Sequence, residues 1–166
     1  MSRQKARDLL IVGLRNAHAM ETQARELMER QSERTGDFPE VQAKVRTHRE
    51  ETNRQLQRLE QCLRSCGESE STIKDAAMST LGNLAAMAHA TAGDEILKNT
   101  FANNAFENYE IAAYKSLLAL CSRAGIDLKE PLEASLREEE RMAQWIAQHV
   151  EDVTLQYLAK EERAAA

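Results

Sequence analysis

The sequence predicts an all-α protein folded as a four-helix bundle with one long crossover, and three observations carry that reading. Apolar residues recur three and four apart over four long stretches. The chain is 30% charged and 4% aromatic, with two prolines and six glycines, the composition of long helices with solvated faces. A Ser-rich, less charged connection over 68–93 separates the second stretch from the third. At 166 residues the chain fits a single domain with a substantial core.

The first helix is expected over about 3–34, where Leu10, Leu14, Ala17, Ala24 and Met28 hold the spacing with charges opposite. Gly36 reads as its stop, because left-handed backbone costs a glycine little. Asp37 is the expected cap of the second helix, about 38–66, with Pro39 in its first turn and Glu40 at the capping-box position. Its stripe runs through Val41, Val45, Leu56, Leu59 and Leu63 to Gly67. Within the crossover, AAMSTLGNLAAMAHA is amphipathic enough for a short extra helix. The third helix, about 94–124, ends at Gly125; Asp127, Glu130 and Pro131 open the fourth, about 128–160, whose stripe includes Leu132, Leu136, Ile146, Val150 and Val153. Helices of this length span roughly 40 to 45 Å, which a connection of this length can traverse.

The net charge of −5 argues against nucleic-acid binding, which needs clustered Lys and Arg. The run LLIVGL at 9–14 is bounded by Asp8 and Arg15, too short for a signal segment or a membrane span, so no membrane association and a cytoplasmic address are expected. Cys62 and Cys66, four apart on one helix face, are poorly placed for a disulfide, and the three cysteines read as small apolar residues in a reducing compartment.

In AFENYEIAAYKSLLAL, at 105–120, the series of Phe106, Ala113 and Leu117 passes through Glu110. The first helix carries Glu21 between Ala17 and Ala24; the fourth carries Glu139 between Leu136 and Met142, with Glu138 on its flank. The second passes through His48 and Gln55, with Glu51 one turn after His48 and beside Thr52. Glu21 stands fifteen residues before Gly36 and Glu51 fifteen after, while Glu110 stands fifteen before Gly125 and Glu139 fourteen after. In antiparallel hairpins these positions share a height, so the acids form one layer.

Each buried carboxylate costs several kcal/mol to desolvate, against about 5 to 15 kcal/mol for a whole domain. The layer must therefore share protons, meet Lys or Arg, or bind a cation, and the stripes hold no Lys or Arg at that height. A divalent transition-metal pair (Fe, Mn or Zn) satisfies four carboxylates together, and imidazoles suit such ions. The candidate ligands are Glu21, Glu51, Glu110 and Glu139, with His18, His48 and Glu107 each one turn from one of them. Tyr114, four residues past Glu110, is a candidate either for a supporting hydrogen bond or, the blander reading, for packing alone, and Glu138 is a further supporting candidate. Two bland alternatives stand beside this: any single core glutamate can reach the protein edge or meet another partner, and the four together can form a proton-sharing polar layer without metal. His89 and His149 read as ordinary surface or core histidines, and Met20, Met28, Met78, Met87 and Met142 as packing residues. There is no Gly-rich phosphate loop, no HExxH and no context for a nucleophilic Ser or Cys.

The segments RNAHAMETQA, HREETNRQLQRLE, FENYEIAAYKSLL and LREEERMAQWI, in this order, resemble the YciE/YciF-type bacterial ferritin-like proteins, nearest the YciE branch, over about residues 5–155. The resemblance implies a ferritin-like bundle with a short extra helix in the crossover, a homodimer and a part in bacterial stress responses. In the wider ferritin-like superfamily, metals are held by one Glu from each of two helices and a Glu-x-x-His from each of the other two. Glu21 and Glu110 match the lone glutamates, and Glu51 and Glu139 those of the paired motifs. The histidines depart: Arg54 and Met142 stand three after Glu51 and Glu139, Asn53 stands three after Glu50, and His48 precedes its glutamate. With redox metals bound, the implied chemistry is oxidation of ferrous iron or reaction with peroxide. A non-catalytic structural or interaction bundle is the alternative, and a cage-forming iron store a weaker third.

Overall fold

The computed structural model describes residues 2–69 and 94–166, and every regular element among them is a helix. These are α1 (Arg3–Arg34), α2 (Pro39–Ser65), α3 (Glu95–Ala124) and α4 (Lys129–Ala165). They make an all-α four-helix bundle of the ferritin-like kind. Helices α1 and α2 form one antiparallel hairpin and α3 and α4 the other, with α1 against α3 and α2 against α4.

Contacts at the two ends fix the directions. Phe38, in the α1–α2 turn, packs with Ile96 at the start of α3 and Val153 late in α4. Arg34 meets Glu95 at 3.1 Å and Lys160 meets Asp37 at 2.6 Å at that same end. At the other end Cys66, just past α2, shares a cluster with Leu10, Cys121 and Leu128. Thus α1 and α4 run one way, α2 and α3 the other, and α2 finishes at the end opposite to where α3 begins. The extra helix expected within 68–93 falls outside the described residues.

Several helix ends differ from the sequence reading. Gly36 is not left-handed; positive φ occurs at Gly67 (93°) and Gly125 (69°) only, among the described residues. Instead Thr35 ends α1, its hydroxyl and its amide both donating to the Gln31 carbonyl at 3.0 and 3.1 Å. Asp37 does not cap α2: Phe38 holds that position without a side-chain bond, because Lys160 draws the Asp37 carboxylate away. Asp127 does accept the Lys129 amide at 3.4 Å, although Leu128 is the capping residue of α4. At Gly67 and Gly125 the left-handed turn lets the next residue's amide reach back to Leu63 and Cys121, each at 3.1 Å. Helix α4 continues five residues beyond the expected 160, to Ala165.

The core lies in two unequal parts. One gathers Leu10, Leu14, Leu59, Leu63, Leu117 and Leu132; each such side chain contributes about 1.5 to 3 kcal/mol by leaving water. The other consists of Ala24, Met28 and Val45 beside the Phe38 cluster. Met20 and Met142 are buried as packing residues, and all three cysteines are buried and free. A polar layer separates the two parts. Close approach of α1 and α3 keeps Gly13 small, since a Cβ there would stand 2.8 Å from the Leu117 Cδ2.

Candidate metal centre

The layer is built from one core-facing turn of each helix. Glu21 (α1), His48, Thr52 and Gln55 (α2), Glu107, Glu110 and Tyr114 (α3), and Glu139 (α4) are all buried. His48 is its centre. Its Nδ1 lies 2.9 Å from Glu51 Oε2, and its Nε2 lies 3.2 Å from both Glu107 Oε2 and Glu139 Oε2. One ring nitrogen carries at most one proton and cannot satisfy two carboxylates equally. Accordingly neither of those oxygens has a hydrogen bond of good geometry, and Glu21 Oε2 and Glu110 Oε1 are likewise buried without a partner.

The remaining oxygens are held from outside the cluster. Tyr114 donates its hydroxyl to Glu21 Oε1 at 2.7 Å, across from α3 to α1. Gln55 donates its side-chain amide to Glu139 Oε1. On the flank between α2 and α4, Arg58 grips both oxygens of Glu138, at 2.6 and 3.0 Å, and reaches Ser135 at 3.3 Å. Arg141 binds the other oxygen of Glu51 at 3.2 Å.

Electrostatics follow from this crowding. Burial raises the Glu21 carboxyl to about 8, with the Tyr114 hydrogen bond and the His48 charge opposing and the Glu107 charge assisting. Burial, reinforced by the charges of Glu21, Glu139 and Glu107, lifts Glu110 well above the ordinary carboxyl range. Glu139 is raised in the same way against the pull of His48. For His48, burial disfavours the charged ring, yet the charge of Glu107 and the close carboxylates of Glu107, Glu139 and Glu51 together raise it well above its ordinary value. Glu51, bonded to His48 and Arg141, falls to about 2. Among the described residues, one imidazole, that of His48, faces the four buried glutamates.

Sequence spacing and geometry differ at particular residues. The structure brings together Glu21, Glu107, Glu110, Glu139 and His48. Glu51 stands beside the layer, because Thr52 and Gln55 take the core-facing positions of α2; its carboxylate meets the far nitrogen of His48. His18 faces Glu60, at 3.5 Å, and burial lowers its basicity. Gln55 lies in the stripe but nothing in its spacing marks its amide as a partner of Glu139, and nothing local marks Arg58 or Arg141 as partners of residues 80 and 90 positions away. His149 stacks on Trp145 at 4.1 Å, away from the layer.

One ligand atom from each of His48, Glu107 and Glu139 lies within 4.8 Å of the other two. With oxygen and imidazole donors converging and oxygens lacking hydrogen bonds beside them, the residues fit a metal cation. Fold and site together define a ferritin-like helical protein with a buried carboxylate–imidazole centre. Residues 5–159 match the family described as "Domain of unknown function (DUF892)", and the chain belongs to this YciF-like family. The structure is also similar to the crystal structure of protein XCC3681 from Xanthomonas campestris pv. campestris, 27% identical, with a TM-score of 0.79 over 95% of this chain and 99% of that one. No described helix is long and apolar enough to cross a membrane.

Proposed function

We propose that the layer is a two-ion centre for Fe, Mn or Zn. The observation that carries this is the set of four orphaned oxygens, on Glu21, Glu107, Glu110 and Glu139, around one imidazole. His48, Glu107 and Glu139 would hold one ion, and Glu21 and Glu110 the second. Glu51 orients His48 through its Nδ1, the carboxylate–imidazole–metal arrangement that fixes a ligand's tautomer. Tyr114 and Gln55 hold the ligand carboxylates in place, and Arg58 balances Glu138 beside them. When bound, redox ions supply electron transfer to or from peroxide or ferrous iron.

The resemblance of the four quoted segments supports the YciE branch, a bacterial stress role and a cytoplasmic address. A homodimer accords with the exposed apolar residues Leu9 and Val12 on α1 and Phe101 and Tyr109 on α3. The raised carboxyls favour one other reading, a metal-free layer that shares protons.

Calorimetric titration of chelator-treated protein with Mn(II) or Zn(II) separates the two. A metal centre predicts about two ions per chain and protons released on binding, with binding lost in the Glu107→Gln, Glu139→Gln double variant. Absence of binding, or binding unchanged in that variant, supports the metal-free layer.

A further inference from the structure

Between α1 and α3 a cleft of about 160 Å³ reaches the acid layer. Ala24, Leu27 and Met28 form one wall, Ala102 and Phe106 the other, and Glu107 lies at the inner end. One turn further out, Gln31 and Asn103 exchange two amide hydrogen bonds, at 3.1 and 2.9 Å, tying the two helices together. Beyond them the charges of Arg34 and Glu95 cancel in an ion pair. Glu107 is buried, its Oε2 3.2 Å from His48 Nε2 but without a well-formed hydrogen bond.

We propose that this cleft binds a small uncharged organic molecule, the bulk of a substituted benzene, with one oxygen-bearing end turned toward Glu107. Volume sets the size: an apolar cavity of about 150 Å³ accepts benzene, whereas sites for larger ligands begin near 300 Å³. Lining sets the charge. Between Glu95 at the rim and Glu107 at the floor no acid among the described residues lines the walls, so a hydrated cation would shed its shell against alanine, leucine, methionine and phenylalanine without replacement. An anion finds Arg34 already paired with Glu95, Arg30 exposed to water at the rim, and the Glu107 carboxylate at the inner end. The free amide faces of Gln31 and Asn103 offer hydrogen bonds that a neutral hydroxyl or carbonyl can use.

As a route to the metals the cleft rests on the proposed centre; as a binding site it does not, so the test uses chelator-treated protein. Benzyl alcohol, benzoate and benzylammonium share one size and differ in charge. Titration followed by backbone amide NMR should show saturable shifts for benzyl alcohol centred on residues 24–31 and 99–107, with benzoate and benzylammonium at least about tenfold weaker. Ala102→Phe, which fills the cleft, should weaken benzyl alcohol by at least about tenfold while leaving metal titration intact. Equal binding of all three probes, shifts elsewhere on the bundle, or unchanged binding in Ala102→Phe at native helicity would each overturn the proposal. Loss of metal binding alone would leave it standing.

Discussion

Replacing Glu21 by glutamine should stabilise the metal-free protein and weaken the metal-bound one. The folded-state carboxyl titrates at about 8 against an ordinary 4.5, so the folded chain holds its proton more tightly than the unfolded chain. That contribution is complete below the unfolded value and is lost as pH climbs through the folded one. At about 1.4 kcal/mol per unit the whole loss is about 5 kcal/mol, of which about 1 has gone by about pH 5.5 and about 4 by about pH 7.5. Glutamine removes the titration and keeps an acceptor for the Tyr114 hydroxyl, but its new amide N–H needs a partner. We therefore expect Glu21→Gln, chelator-treated, to gain about 2 to 4 kcal/mol over wild type at about pH 7.5 and about 1 or less at about pH 5.5. Urea denaturation at the two pH values measures both differences. A gain that does not grow with pH, or a loss at the higher pH, would refute the claim that an uncompensated carboxylate sits in this core.

Adding Mn(II) or Zn(II) at a hundredfold excess over its dissociation constant should stabilise wild type by about 2.7 kcal/mol, seen as a rise in Tm that a chelator reverses. Arg58→Ala leaves the buried Glu138 carboxylate without its grip and should cost about 1 to 3 kcal/mol in urea denaturation; no measurable change would mean that Glu138 is hydrated. Tyr114→Phe removes one buried hydrogen bond and should cost about 0.5 to 1.5 kcal/mol, with metal affinity reduced in parallel. Gly125→Ala forces a side chain into left-handed backbone and toward the Arg3 guanidinium, 2.9 Å from the new Cβ; a loss of about 1 kcal/mol is expected by thermal melting.

The helices were legible because periodicity is a local property, and the layer because acids in a stripe can be counted from the hairpin turns. Glu21, Glu110 and Glu139 announce themselves that way. Glu51 misleads by one position: the stripe of α2 passes through Thr52 and Gln55, and the charged residue beside them becomes a support for His48. What could not be read locally is what distant chain supplies. Asp37 looks like a cap until Lys160 competes for it from 123 residues away. Gly36 looks like a left-handed stop, yet the Thr35 hydroxyl already satisfies the Gln31 carbonyl. Only the packing of α2 on α4 shows that Arg58 neutralises Glu138.

Anomalous diffraction from crystals soaked in Mn(II) or Zn(II) reaches the central claim most directly. Peaks are predicted inside the bundle, one among His48, Glu107 and Glu139 and one beside Glu21 and Glu110. Density confined to surface carboxylates, with the buried glutamates bonded only to one another, would contradict it.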